Sequence, residues 1–108
     1  MAKMYIMGKY TNKAFQGFIK DPTTDRRIAV EKLTSAAGGK MLFMDIVRGS
    51  YDFIVVAEVS SFETFAAIKL AVESSGAVRD LTALEAMDLN SAAKKAGELT
   101  GDYKAPGQ

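Results

Sequence analysis

The sequence has no cysteine and no histidine, and these two gaps remove most familiar catalytic chemistry at once. Without cysteine there is no disulfide framework, no thiolate nucleophile and no zinc–thiolate site. Without histidine the chain lacks the usual general base near neutral pH and the usual ligand of transition metals and haem. A Ser-His-Asp or Cys-His nucleophile system is therefore excluded. An excess of either charge is also missing: 14 Lys and Arg stand against 13 Asp and Glu, a net charge of +1. That balance argues against a nucleic-acid partner, whose affinity rests on clustered cations displacing counterions. The adjacent basic pairs Arg26-Arg27 and Lys94-Lys95 read as solvated helix faces. No run approaches the roughly 18 apolar residues that span a bilayer, and Met1 to Gly8 is too short and broken for a signal peptide. The expectation is a cytoplasmic protein without membrane partner or cofactor.

What is present fits one small domain. A chain of 108 residues leaves little room for a second core, and it buries roughly two-thirds of its unfolded surface. A hydrophobic content of 48% is that of a globular chain, so disorder is expected only at the end. The domain is expected over residues 1–99, with a flexible tail over 100–108 that contains Pro106-Gly107.

The apolar pattern gives the element order. Met4 to Tyr10 reads as a strand, and Thr11 as the N-cap of a short helix over Asn12 to Lys20. Asp21-Pro22 reads as the start of a second helix, with Ala29, Val30, Leu33, Ala36 and Ala37 at helical spacing and Gly38-Gly39 as its stop. Lys40 to Arg48 and Tyr51 to Val59 read as strands joined by a Gly49-Ser50 hairpin. Ser60 and Glu63 form a capping box for a helix through Ser75, with Phe62, Phe65, Ala66, Ile68, Leu70 and Val72 as its buried stripe. Val78 to Met87 is the last strand, and Asp88 or Asn90 caps a C-terminal helix. The order is that of an α+β, ferredoxin-like βαββαβ domain: a four-stranded antiparallel sheet with both long helices on one face.

The other face cannot be left bare. Met41-Leu42-Phe43-Met44 and Phe53-Ile54-Val55-Val56-Ala57 are apolar on both sides, not alternating as a strand with one wet face does. A monomer would expose an apolar patch of several hundred Å². Packing against a second copy, sheet to sheet, is the expected remedy. The rival, the C-terminal helix folded over that face, has too few apolar positions to cover it. Six methionines, among them Met4, Met7, Met41 and Met44, suit such an adaptable surface.

A two-residue loop would set Arg48 opposite Tyr51, Val47 opposite Asp52, Ile46 opposite Phe53 and Asp45 opposite Ile54. Arg48, Ile46, Met44, Leu42, Tyr51, Phe53, Val55 and Ala57 would then lie under the helices. Asp45 and Asp52 would be diagonal neighbours on the open face, where carboxylates are expensive unless paired. Lys9 and Arg79 are the available counter-charges, and Tyr10, Tyr51 and Tyr5 could orient a ligand through their hydroxyls. Lys9, Tyr10, Asp45, Tyr51, Asp52 and Arg79 are therefore the candidate pocket or interface residues. An ion-pair cluster at the rim of an interface is the plainer reading of the same set. No metal site is expected, since no further acidic residues group with the two aspartates.

At this hairpin, Gly49-Ser50-Tyr51-Asp52 followed by an apolar strand resembles the GYD-domain family, small bacterial and archaeal proteins named for a Gly-x-Tyr-Asp element. The resemblance extends to Gly8-Lys9-Tyr10-Thr11, to Arg26 through Leu33, to Gly38-Gly39-Lys40 and to Ser75 through Arg79, and spans roughly residues 4 to 88. It implies a ferredoxin-like fold of the dimeric α/β-barrel kind, to which the residues add the C-terminal helix, and it implies little about activity. The expected function is a homo-oligomeric, non-enzymatic module that binds a small molecule or a partner protein at its sheet–sheet interface. The alternatives are a cofactor-independent enzyme, monooxygenase- or isomerase-like, acting on a small apolar or aromatic metabolite, and a purely structural oligomer. The lack of histidine and of any activated nucleophile favours binding over catalysis.

Overall fold

Each helix begins where a short polar side chain accepts a backbone N–H that the first turn leaves without a partner. In the computed structural model, which describes residues 1–108, Thr11 accepts from Ala14 at the head of α1 (Asn12–Lys20), which follows β1 (Ala2–Tyr10). Asp25 accepts from Arg27 and Ile28 at the head of α2 (Arg26–Ala36). After β2 (Lys40–Ile46) and β3 (Phe53–Val59), Ser61 accepts from Thr64 and opens α3 (Phe62–Ser74). After β4 (Val78–Glu85), Asp88 accepts from Ser91 and opens α4 (Leu89–Thr100).

Two of these starts differ from the sequence expectation, for local reasons. Asp21 does not cap α2, because its Oδ1 takes the Thr23 hydroxyl (2.7 Å) and N–H (3.3 Å) and closes a turn of its own. Ser60 does not cap α3, because its hydroxyl is bonded to that of Thr64 (2.6 Å), so the cap passes to Ser61. The expected stop of α2 is found, with Gly38 at φ +81°.

The strands form one antiparallel sheet in the order β2-β3-β1-β4. With α1 and α2 between β1 and β2, and α3 between β3 and β4, the fold is α+β and ferredoxin-like. The helix side carries the core: Met4, Ile6 and Tyr10 of β1, Met44 of β2, Phe53, Val55, Ala57 and Val59 of β3, and Val78 and Leu81 of β4. Of the stripe expected on α3, Phe65 is buried and Ile68 and Val72 pack against the core, whereas Phe62 and Leu70 point to solvent.

Both outer strands carry an extra residue. In β2 it is Leu42, since Met41 opposes Ala57 while Phe43 opposes Val56. This bulge turns Met41 in towards the core and leaves Leu42 exposed, the reverse of the unbroken alternation read from the sequence. In β4 the extra residue falls at Asp80-Leu81, opposite Gly8, with Asp80 at φ 56°. The bulge takes the Leu81 N–H and C=O off the ladder. The N–H donates to Glu73 Oε2 (3.0 Å), and the C=O accepts from Lys69 Nζ (3.0 Å), while Lys69 and Glu73 pair with each other at 2.6 Å. One ion pair on α3 thus satisfies an irregular edge strand.

Gly8 is set by space. A Cβ there would lie 2.5 Å from the Phe53 ring and 2.9 Å from Leu81 Cδ1. At the far end of the chain, α4 buries none of its residues. It lengthens the molecule to 62 Å, with a radius of gyration of 18.1 Å against about 13 Å for a compact chain of 100 residues. No helix is long and apolar enough to cross a membrane.

Two outcomes follow for stability. Gly8→Ala should cost about 1–3 kcal/mol in urea denaturation, because neither the Phe53 ring nor Leu81 can withdraw without opening the core. The bonds from Lys69 and from the Leu81 N–H hold the Glu73 carboxyl below its ordinary 4.5. Its contribution is therefore present above that value and lost as pH falls through the depressed folded value. The stability gap between the wild type and Glu73→Gln should be widest at neutral pH and close on acidification.

Candidate functional site

Beyond Phe53 the ladder gives way to a loop, and Asp52 performs a different task from the one its register suggests. Its backbone carbonyl accepts from Val47 (2.8 Å) and its N–H donates to Gly8 (2.9 Å). Its carboxylate Oδ2 then accepts the Tyr10 N–H at 2.8 Å. The side chain replaces the carbonyl that a continuing strand would have offered, and so finishes the pairing of β1. Asp52 lines a cleft on the helix side of the sheet, together with Tyr10, Phe18, Arg26 and Val47.

The six residues singled out from the sequence divide three ways. Tyr10 and Asp52 come together as described. Lys9, Tyr51 and Arg79 gather around the β4 bulge: Asp80 pairs with Arg79 (2.9 Å) and with Lys9 (3.7 Å), whose ammonium lies 6.0 Å from the Tyr51 ring centre. Lys9 and Arg79 thus neutralise Asp80, not the two aspartates of the hairpin. Asp45 stands apart, exposed on the open face opposite Ile54 and in no ion pair. No three acidic side chains converge anywhere in the fold.

Tyr10 is the hub. Its ring is buried against Phe53 (5.0 Å between centres) and edge-on to Phe18 (4.9 Å) and Phe15 (6.4 Å). Burial pushes the Tyr10 phenol above its ordinary value; the Arg26 guanidinium beside it pulls the other way, and the Asp52 charge adds to the rise. The phenol is therefore a hydrogen-bond donor at neutral pH, not a base.

Arg26 is the residue that sequence reasoning passed over as half of a solvated basic pair. Its neighbour Arg27 donates to the Met44 carbonyl (2.8 Å). Arg26 instead turns inward, with its Nε sealed from solvent and without a hydrogen-bond partner. No carboxylate lies within 4.0 Å of it. The signal was present in the spacing: Arg26, Val30 and Leu33 share one face of α2, so a cation heads an apolar stripe. It also stands in the first turn, where the helix dipole disfavours positive charge.

Two spaces meet at Tyr10 and Arg26. Inside lies a partly open cavity of about 80 Å³ between the sheet and α2 and α3, bounded by apolar side chains such as Ile6, Ala29, Val30, Met44, Val55 and Ile68. Outside lies the open cleft of about 500 Å³ that Asp52 lines, with Asp21, Pro22 and Thr24 on its rim. The arrangement offers an apolar chamber, a protonated phenol, an unpaired guanidinium and a carboxylate already committed to the backbone. It offers no paired nucleophile and base.

Comparison with known proteins agrees with the topology. A solved structure, the crystal structure of FFRP-DM1, is similar to this chain with a TM-score of 0.51 and 17% identity, covering 81% of this chain and all of that one. At that identity the likeness speaks for the fold. A search of curated proteins found no match. The GYD domain family matches residues 5–96, a span that takes in most of β1, all of the other strands, the cavity and the Asp52 loop, and the chain belongs to that family.

Proposed function

We propose that this chain is a self-associating module that holds a small ligand on the helix side of its sheet. The observation that carries the reading is the chamber of about 80 Å³ beneath α2 and α3. Close-packed interiors leave little apolar space of this kind, and this partly open one adjoins the cleft at two polar side chains. The ligand is accordingly proposed under the helices and not between two sheets.

The open face of the sheet supports the self-associating half. Phe43 opposes Val56, Val56 opposes Tyr5, and Tyr5 opposes Leu84, so one apolar row crosses all four strands. Met7 and Ile54 form part of the next row. Phe43 is 48% exposed and Leu84 60%, with nothing of the same chain above them. The helix that could have folded over this row, α4, leaves the body instead and exposes Leu89 and Leu99. A second copy facing this row covers it by the symmetry most common among small oligomers.

Light scattering at micromolar concentration should give a dimer or a multiple of dimers, and Phe43→Glu combined with Leu84→Glu should give a folded monomer. A wild-type monomer would overturn the association. For the ligand half, xenon is a suitable probe, since dry apolar cavities take it up. It should shift the Met44 and Val55 methyl resonances of the wild type and leave those of Ala29→Leu unmoved, because the added leucine carbons fill the chamber. A chamber closed to xenon would end the ligand reading.

A further inference from the structure

The ligand reading leaves open what kind of molecule the chamber takes, and the charges around its mouth narrow the choice. Arg26 is a half-buried cation without an anion. Burying a charge is costly unless it is paired and hydrogen-bonded, and every other buried polar side-chain atom in the chain has a partner. The neighbouring acidic groups do not supply the missing one. Asp52 has one oxygen on the Tyr10 N–H, Asp25 accepts the N–H groups of Arg27 and Ile28, Asp21 accepts from Thr23, and none of the three comes within 4.0 Å of the guanidinium. With Asp25 closing the end of α2, any anion held there is held by the Arg26 side chain.

Resting on the reading above, we infer that the site takes a small organic carboxylate with a short apolar body, its carboxylate on Arg26 and the Tyr10 hydroxyl and its hydrocarbon part in the chamber. A guanidinium matches a carboxylate through two parallel N–H donors, and the phenol adds a third. The chamber sets the size: at about 80 Å³ it takes roughly three methylene- or water-sized groups, which is the branched end of a short chain, with the carbon next to the carboxylate at the mouth, and not an extended acyl chain or a fused ring. Asp52 sets the polarity from the other side. Its fixed negative charge in the same cleft repels a second anionic group on the ligand, which favours monocarboxylates over dicarboxylates.

The test compares isovalerate with isovaleramide and isoamylamine, which share its hydrocarbon part. Affinity is read by calorimetry, and position by the Met44, Val55 and Ile68 methyl resonances. Isovalerate should bind with the methyl shifts that xenon produces, and the amide and the amine at least about tenfold more weakly. Arg26→Gln should bring isovalerate down to the level of the amide. Arg26→Lys, which keeps the charge but loses the paired donors, should fall between, and it carries the comparison should Arg26→Gln fail to fold. Equal affinity for acid and amide, or isovalerate binding that survives Arg26→Gln, overturns the inference. So does a wild type that admits xenon but none of the three compounds, whereas exclusion of xenon as well overturns the ligand reading beneath it.

Discussion

The ring of Phe53 lies against the bare backbone of Gly8, and the helix side of the sheet is arranged around that contact. With no side chain at Gly8, the Phe53 ring and Leu81 of the two flanking strands can both lie over its backbone. The ring in turn braces Tyr10, two residues along on the same face. Tyr10 then lies where its phenol meets Arg26 and its N–H meets Asp52. A packing constraint in the middle of β1 thus places the polar groups at the end of it.

The charged groups divide by how they are satisfied. Lys69 and Glu73 serve the backbone of a bulge, Asp52 serves the end of β1, and Arg27 serves the Met44 carbonyl. Each compensates a backbone group that regular pairing leaves open, which is the common reason for a charged side chain to be partly buried. Arg26 is outside this pattern. Asp25 offsets the helix end and the Tyr10 phenol lies beside the guanidinium, yet the Arg26 Nε is buried without a partner and no carboxylate pairs with it.

The element order, the strand pairing at Ile46–Phe53 and Asp45–Ile54, the Thr11 and Asp88 caps and the family were legible in the residues. The reason is that hydrophobic period and cap chemistry are local. The site was less legible because it depends on departures from period. Leu42 and Asp80-Leu81 are bulges that no repeat announces, and Met41 changed sides with the first of them. Asp52 was placed by extending a ladder that stops one residue short of it. Arg26 was hidden by Arg27: two like charges in a row read as one solvated patch, although only the second has a solvated helix-surface role with a backbone partner. Tyr10 was named for its hydroxyl, and the structure adds the aromatic shell that fixes it.

The two bulges have a further consequence because of where they fall. β2 and β4 are the outer strands, and each is interrupted along the edge that a neighbouring sheet would need. A bulged edge twists away and presents a broken row of donors and acceptors, and on β4 the charges of Arg79 and Asp80 add to the barrier. Growth by adding strands sideways, the route to ribbons and fibrils, is thereby closed at both margins. The bulges thus leave the apolar row of the open face, and not the margins of the sheet, as the surface on which a second sheet would find a continuous match.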